Sequence, residues 1–376
     1  MVKKMEQTGR KKAQKLQQAM AEKGIGFLVL SQAKSFYHLI FSRIPFICIL
    51  GVTGDPCIFT HYDSVELVRQ QSWCANIKGI YPYNIGIDKK DDVEKDYLSE
   101  AVEYIRSFKD VPKKIALDLG NTAVNIFRHF KERLKGYGFE DFSSCLNSVF
   151  SINTAEEIEN IKKAAVIAEE GAVKAREYLM GQDNGITENQ LAAYAEYQMR
   201  RRSVDGFFVP SSVASGERTC LIGAADSGRV IKPGDIVNID HSPVYRGYFA
   251  DICRPISIKP FSSPVMDRCR IIEQALDIAI NSIRPGVEAS SVDRKVREHF
   301  KACGHDGSFI HHTGHPVGNS WGIMITSNSH SMIEEGMAFA LEPGLYDREA
   351  GGLRIEDNVY VTKNGAVNLM SLPRIL

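Results

Sequence analysis

The rhythm of apolar and polar positions changes near Ser151. Before that point short segments alternate. A helical amino-terminal stretch leads to an apolar strand at 26–30, helical spacing over 32–41, apolar runs at 44–52 and 56–60, a helix over 97–108, a strand at 114–118 and a helix over 122–134. Short helices alternating with short strands predict an α/β domain over 1–151. Beyond it the elements lengthen. Thr154 with Glu157 forms a capping box, because the threonine hydroxyl takes a first-turn amide while the glutamate reaches back to the cap. Ile158, Ile161, Ala165, Ala168, Ala172, Ala175 and Leu179 then recur at three- and four-residue steps, giving one apolar stripe with small residues suited to close packing. A break at 181–185 precedes a second capping box, Thr187 with Gln190, and a helix through 202. Helices at 264–283 and 291–303 flank the turn Arg284-Pro285-Gly286. Long helices with long strands predict an α+β second domain, 152–376.

The strands of this second domain read as two hairpins. The alternating run 236–240 and the strand 248–258 meet at a tip which, centred between Tyr245 and Arg246, sets Asp240 opposite Asp251. Later, 338–341 and 353–361 meet at a tip which, centred on Glu349, sets Glu342 opposite Glu356. Like charges facing each other on a sheet repel, so such pairs imply a shared cation. The plain alternative for the first pair is that one aspartate ends a strand and the other begins a turn. Between the hairpins, the glycine-rich segment 309–318 carries His311, His312 and His315, either ligands or polar groups satisfied beside a core. Four carboxylates plus His315 make an oxygen-rich set suited to manganese, iron, cobalt or zinc, and two ions fit it better than one. Arg354 stands two residues before Glu356, on the same strand face. It either pairs a substrate carboxylate or steadies the ligand shell. Phe207, Phe208, Tyr245, Tyr248, Trp321 and Tyr346 are candidates to line an apolar pocket, or are plain core.

Composition narrows the partners. Lysine plus arginine and aspartate plus glutamate both total 46, so no basic field invites nucleic acid. The eight cysteines are scattered without CxxC spacing, as expected of reduced thiols in a cytoplasmic protein. The basic amino-terminal stretch lacks the apolar segment and cleavage site of a secretory signal. The longest apolar run, 44–52, contains Pro45 and Gly51 and is shorter than half a membrane span, so no membrane segment is expected. Gly24-Ile25-Gly26 precedes a strand instead of following one, which excludes a phosphate loop.

Asp240, Asp251, His315, Glu342 and Glu356, within the phrases GDIVNID, GYFADICRP, TGHPVG, LEPGLY and GLRIEDNVYVT, resemble the creatinase, aminopeptidase P and prolidase family. The resemblance is close throughout the second half. It implies a pita-bread fold there, preceded by a smaller creatinase-type α/β domain, two divalent ions with manganese the first expectation, and a homodimer. Carried over, Asp240 holds one ion, His315 and Glu342 the other, and Asp251 and Glu356 bridge them. The ions acidify a water and polarise a carbonyl, and Glu342 moves the proton. Departures stand beside these matches. The family's peptidases carry a substrate-holding histidine seven positions after the metal histidine, where this chain has Gly322, and another after the phrase like Ser215-Gly216-Glu217-Arg218, where it has Gly223. Pro316 replaces a usual glycine, and His241 sits unusually beside Asp240. His241, His311 and His312 are candidates for the missing work. The expected activity is hydrolysis of a C–N bond in an Xaa-Pro-type dipeptide or amino-acid-derived amide. The alternative is a creatinase-like or ectoine-hydrolase-like enzyme, or a lyase acting on a sulfonium propionate; a third, ranked last because five metal ligands are kept and basic patches are lacking, is a binding module that keeps the fold without catalysis.

Overall fold

A computed structural model of the protein describes residues 2–81, 96–182 and 185–376. Asp183 and Asn184, in the break between the first two helices expected of the second domain, lie outside the described residues. Two compact units emerge, Met1–Phe150 and Ser151–Leu376.

The first unit runs α1 (Val2–Glu22), β1 (Phe27–Leu30), α2 (Ala33–Ile40), β2 (Ile47–Gly51), β3 (Cys57–His61), α3 (Val65–Gln71), β4 (Asn76–Ile80), α4 (Tyr97–Arg106), β5 (Lys114–Leu117), α5 (Val124–Arg133), β6 (Gly138–Asp141) and α6 (Ser143–Phe150). Its six strands form one sheet in the order β4-β3-β2-β1-β5-β6. The central strands β1, β2, β3 and β5 are the ones with continuous apolar stretches, since a strand covered on both faces needs them. The edge strands β4 and β6 are partly exposed and carry no such run, which is why the sequence pattern passes over them.

The second unit opens with two capped helices, α7 (Ala155–Met180) and α8 (Glu188–Arg200), and both capping boxes form. They pack closely: a Cβ at Gly171 would stand 2.7 Å from Met199 Cγ. Strands β7 (Gly206–Phe207), β8 (Ser212–Ser215), β9 (Val237–His241), β10 (Pro243–Tyr245), β11 (Tyr248–Phe249) and β12 (Ile252–Ile256) follow. Val237, Ile239 and Ile256 share one core with α7 and α8. Two more helices, α9 (Ser263–Ser282) and α10 (Ala289–Ala302), precede β13 (Gly314–Pro316), β14 (Ala338–Leu341), β15 (Gly344–Asp347), β16 (Gly351–Arg354), β17 (Asp357–Thr362) and β18 (Gly365–Asn368). Phe339, Leu341, Val359 and Val361 bury their side chains with α9 and α10. Each helix pair thus covers a different set of strands.

The first hairpin differs from expectation. Tyr245 pairs with Tyr248, so the two-residue loop is Arg246-Gly247, and both loop residues have positive φ (49° and 80°). That is the backbone of a type I′ turn, whose second position favours glycine. The register therefore shifts by two: Asp240 faces Cys253, not Asp251. Two is a full side-chain period, so both aspartates keep their face. The long strands also break. β10 and β11 join β7, while β9 and β12 join β8. In the second hairpin the expected register holds on both sides of the glutamates: Leu341 faces Asp357 and Gly344 faces Arg354, which leaves Glu342 across from Glu356.

Candidate metal centre

Asp240 lies on β9, Asp251 between β11 and β12, His315 on β13, Glu342 just after β14 and Glu356 between β16 and β17. His315 Nε2 stands 3.7 Å from Asp251 Oδ2, 3.6 Å from Glu342 Oε1 and 3.6 Å from Glu356 Oε1. These separations are long for hydrogen bonds and close to those of ligand atoms that each sit roughly 2.1 Å from one ion. The Nδ1 of His315 lies 3.2 Å from the Pro316 carbonyl. A proton placed on Nδ1 donates to that carbonyl and leaves Nε2 as a lone-pair donor facing the carboxylates. Two triads have ligand atoms all within 4.8 Å of one another: Asp251, His315 and Glu356, and His311, His312 and Glu342. Asp240 belongs to neither. Arg354 Nη2 holds its Oδ2.

The backbone is braced from outside the ligand set. Asp251 donates its amide to Asn358 Oδ1 at 3.0 Å, and Asn358 Nδ2 donates to the Asp251 carbonyl. One side-chain amide thus replaces the ladder partner lost where β11 and β12 part. Arg254, fully buried, donates to the Glu356 carbonyl and to Asp357 Oδ1, each at 2.6 Å. Behind the histidine segment, Arg297 donates to the carbonyls of Phe309 (2.8 Å) and His311 (2.6 Å), and buried Asp293 accepts from Thr313 Oγ1 at 2.8 Å. No sequence motif pointed to Asn358, Arg254, Asp293 or Arg297. For Asn358 and Arg254 the available signal was position: both sit inside the quoted phrases.

The charges do not balance on their own. Burial, then the neighbouring charges of Glu356, Asp240 and Glu342, push the Asp251 carboxyl well above its usual range, with Arg354 opposing. Burial and the Glu342 charge push Glu356 up to about 7. Burial would also raise Glu342, but the rings of His312 and His315 and the Arg354 guanidinium outweigh it and draw it down to about 2. Burial would lower His315, yet Glu356 and Glu342 lift it to about 9. Asp251 Oδ1 and Glu356 Oε1 are buried with no hydrogen-bond partner among the described residues. Crowded carboxylates with orphaned oxygens around an imidazole lone pair are a donor set that fits divalent cations.

The remaining candidates divide. His312 Nε2 lies 2.6 Å from Glu342 Oε1, inside the cluster. His311 is committed to structure: Nδ1 lies 2.8 Å from the His312 carbonyl and Nε2 2.7 Å from the Tyr346 hydroxyl, and burial lowers it to about 4. Of the two roles open to Arg354, its contacts are those of the one that steadies the ligand shell: the guanidinium bonds Asp240, lies 3.4 Å from the Tyr346 hydroxyl and faces Glu342 at 3.8 Å, while its Nε is buried with no hydrogen-bond partner among the described residues. His241 lies apart from the cluster. It follows Asp240 on a strand, so alternation turns it to the opposite face, where it is fully buried, has no hydrogen-bond partner among the described residues and is lowered to about 3 by burial. Tyr248 is buried with its hydroxyl donating to Glu157 Oε1 at 2.9 Å, which ties it to α7 and not to a pocket. Trp321 is buried, its amide bound to Asn319 Oδ1. Phe208 is half exposed and stacks flat on Phe249, with ring centres 4.0 Å apart.

A carboxylate and imidazole centre, carried on strands backed by paired helices, defines this protein as a metallohydrolase with a pita-bread catalytic domain. Residues 159–363 match metallopeptidase family M24, and residues 12–149 match the creatinase/prolidase N-terminal domain. The chain belongs to that metallopeptidase family. It is 32% identical over 260 residues to an Xaa-Pro dipeptidase of Pyrococcus furiosus, covering 68% of this chain and 74% of the relative. The solved prolidase of Pyrococcus furiosus is 26% identical, with a TM-score of 0.81 over 95% of this chain and 100% of that one. An X-Pro aminopeptidase structure from Thermotoga maritima shares the fold at a TM-score of 0.85 and 24% identity, over 97% and 99% of the two chains.

Proposed function

We propose that the protein uses two divalent ions to hydrolyse the C–N bond of an Xaa-Pro-type dipeptide or a small amino-acid-derived amide. The observation that carries this reading is the convergence of carboxylates from both hairpins on His315 Nε2, at 3.6–3.7 Å. Asp240 would hold one ion, His315 and Glu342 the other, and Asp251 and Glu356 would lie between them. When bound, the ions supply an acidified water and a polarised substrate carbonyl, and manganese is the first choice, with cobalt, iron or zinc as substitutes. Glu342 would be placed to take a proton from the attacking water and return it to the leaving amine. Arg354 orients Asp240 and spreads positive charge over Glu342.

A second reading, a non-peptide substrate, rests on the two glycines. Gly322 has φ +153°, and a Cβ there would stand 2.7 Å from Pro316 Cβ, so a side chain at this position is excluded twice. At Gly223, φ is +70° and nothing lies within 4 Å of a Cβ. The protein is proposed to act as a cytoplasmic homodimer. In support of the first part, all eight cysteines are free thiols, and no described helix is long and apolar enough to cross a membrane.

A substrate panel with each metal added decides between the readings. Xaa-Pro dipeptides should turn over in a chelator-sensitive way. Turnover of creatine, acylated diamino acids, or sulfonium or betaine compounds in their place would establish the second reading. Chelator-insensitive activity would overturn both.

A further inference from the structure

The second triad contains a residue that the five-ligand assignment leaves without a role. His312 Nε2 lies 2.6 Å from Glu342 Oε1, and the same oxygen lies 3.6 Å from His315 Nε2. The two imidazole rings stand 5.7 Å apart at an interplanar angle of 78°, so they approach one carboxylate oxygen from different directions. Part of the His312 ring is exposed, but its Nε2 is shut off from solvent and makes no aligned hydrogen bond. His312 and Glu342 both contribute to one set of possible ligand atoms within 4.8 Å of one another; since atoms that each sit about 2.1 Å from one ion stand roughly 3.0–3.4 Å apart, a small turn of the part-exposed ring would bring this contact to ligand spacing. His311, the third member, has both ring nitrogens engaged elsewhere, by the His312 carbonyl and the Tyr346 hydroxyl. The His311 carbonyl accepts from Arg297, which fixes the backbone just before His312.

We propose that His312 is a further ligand of the ion held by His315 and Glu342, so that this position offers two imidazole nitrogens and favours zinc or cobalt over manganese. The assignment rests on the two-ion reading above. Imidazole suits zinc and its neighbours, whereas carboxylate and water suit manganese, so a second nitrogen at one position separates the preferences of the two halves of the centre. The half built on Asp240 has no nitrogen donor and keeps the harder preference. An ion pair between His312 and Glu342 with no ligand role would leave the metal preference unchanged on removing the ring.

The test is equilibrium metal competition on the full chain, with bound zinc and manganese counted by elemental analysis in native protein, His312→Ala and His312→Gln. The expected result is a zinc-over-manganese preference at least about tenfold lower in both variants. Two manganese ions per chain should still bind at saturating manganese, and circular dichroism should show both variants folded. Cobalt-loaded native protein and His312→Ala should also differ in their visible absorption, because a nitrogen donor is lost. Unchanged preference and unchanged cobalt spectrum, with two ions still bound, would overturn the His312 assignment alone. Native protein that binds no divalent ion would overturn it together with the two-ion reading.

Discussion

The two hairpins carry equivalent carboxylate pairs on unequal frames. The second is continuous in register from β14 and β17 through β15 and β16, and Glu342 and Glu356 face each other because the ladder on either side says so. The first also keeps one register, but that register offsets its carboxylates, setting Asp240 opposite Cys253; both hairpins divide between two sheets at their carboxylates, and in the first the backbone at Asp251 is bonded by the side chain of Asn358, which belongs to the second hairpin. Arg354 reaches across to Asp240 from the second hairpin, and Arg254 reaches back to the Glu356 carbonyl from the first. A paired-carboxylate site can therefore be built by local ladder geometry or by cross-bracing. Here the pair that faces directly and the pair that is offset brace each other.

The largest expected effect removes one carboxylate from each frame. Asp251→Ala and Glu356→Ala should each lower kcat/KM by on the order of 10³-fold or more, because both stand between the proposed ions. Steady-state kinetics with saturating metal check this, and a mild effect in either would break the symmetry of the two pairs. Arg354→Lys should follow. It keeps the charge but loses the planar fork that touches Asp240 and Tyr346, so metal affinity or kcat/KM should fall by about ten- to hundredfold. A conservative outcome would mean that the hairpins do not need this brace.

The far face of the first hairpin yields a pH prediction. His241 is held near 3 against an ordinary value of 6.5, so the unfolded chain binds the extra proton between those values. Its contribution to stability is complete above about 6.5 and is lost as pH falls toward 3, at the limit by about 4–5 kcal/mol. His241→Leu should thus move the acid-unfolding midpoint to lower pH, as read by circular dichroism; an unmoved midpoint would show that this histidine is not held neutral. The smallest effects lie at the tips. Gly247→Ala should cost about 1 kcal/mol for its positive φ. Gly351→Ala should cost more, because a Cβ there also meets Thr219 Oγ1 at 2.9 Å. Equal costs in denaturant titrations would show that the Thr219 contact adds nothing to the cost of positive φ.

Much of this was legible in the sequence. The capping boxes at Thr154 and Thr187 mark helix starts because their partners are three residues away, and α7 and α8 begin there. The second hairpin's register was legible because Glu349 centres a short symmetric loop. The first was misjudged by two residues because the apolar run through Tyr245 looks continuous, whereas Gly247 takes a turn position with φ of 80°. The alternation that made Asp240 a candidate also turns His241 to the other face. Arg354 was legible as a residue on the ligand face, but not its partner, because Asp240 lies 114 positions away in the chain. Asn358 was illegible for the same reason: its role is to repair a strand break that pattern alone does not reveal.

The central claim is that both hairpins together hold two divalent ions. Protein reconstituted with manganese, freed of excess ion and counted by elemental mass spectrometry tests it most directly. The account predicts two ions per chain. A count of one, or none, would contradict it.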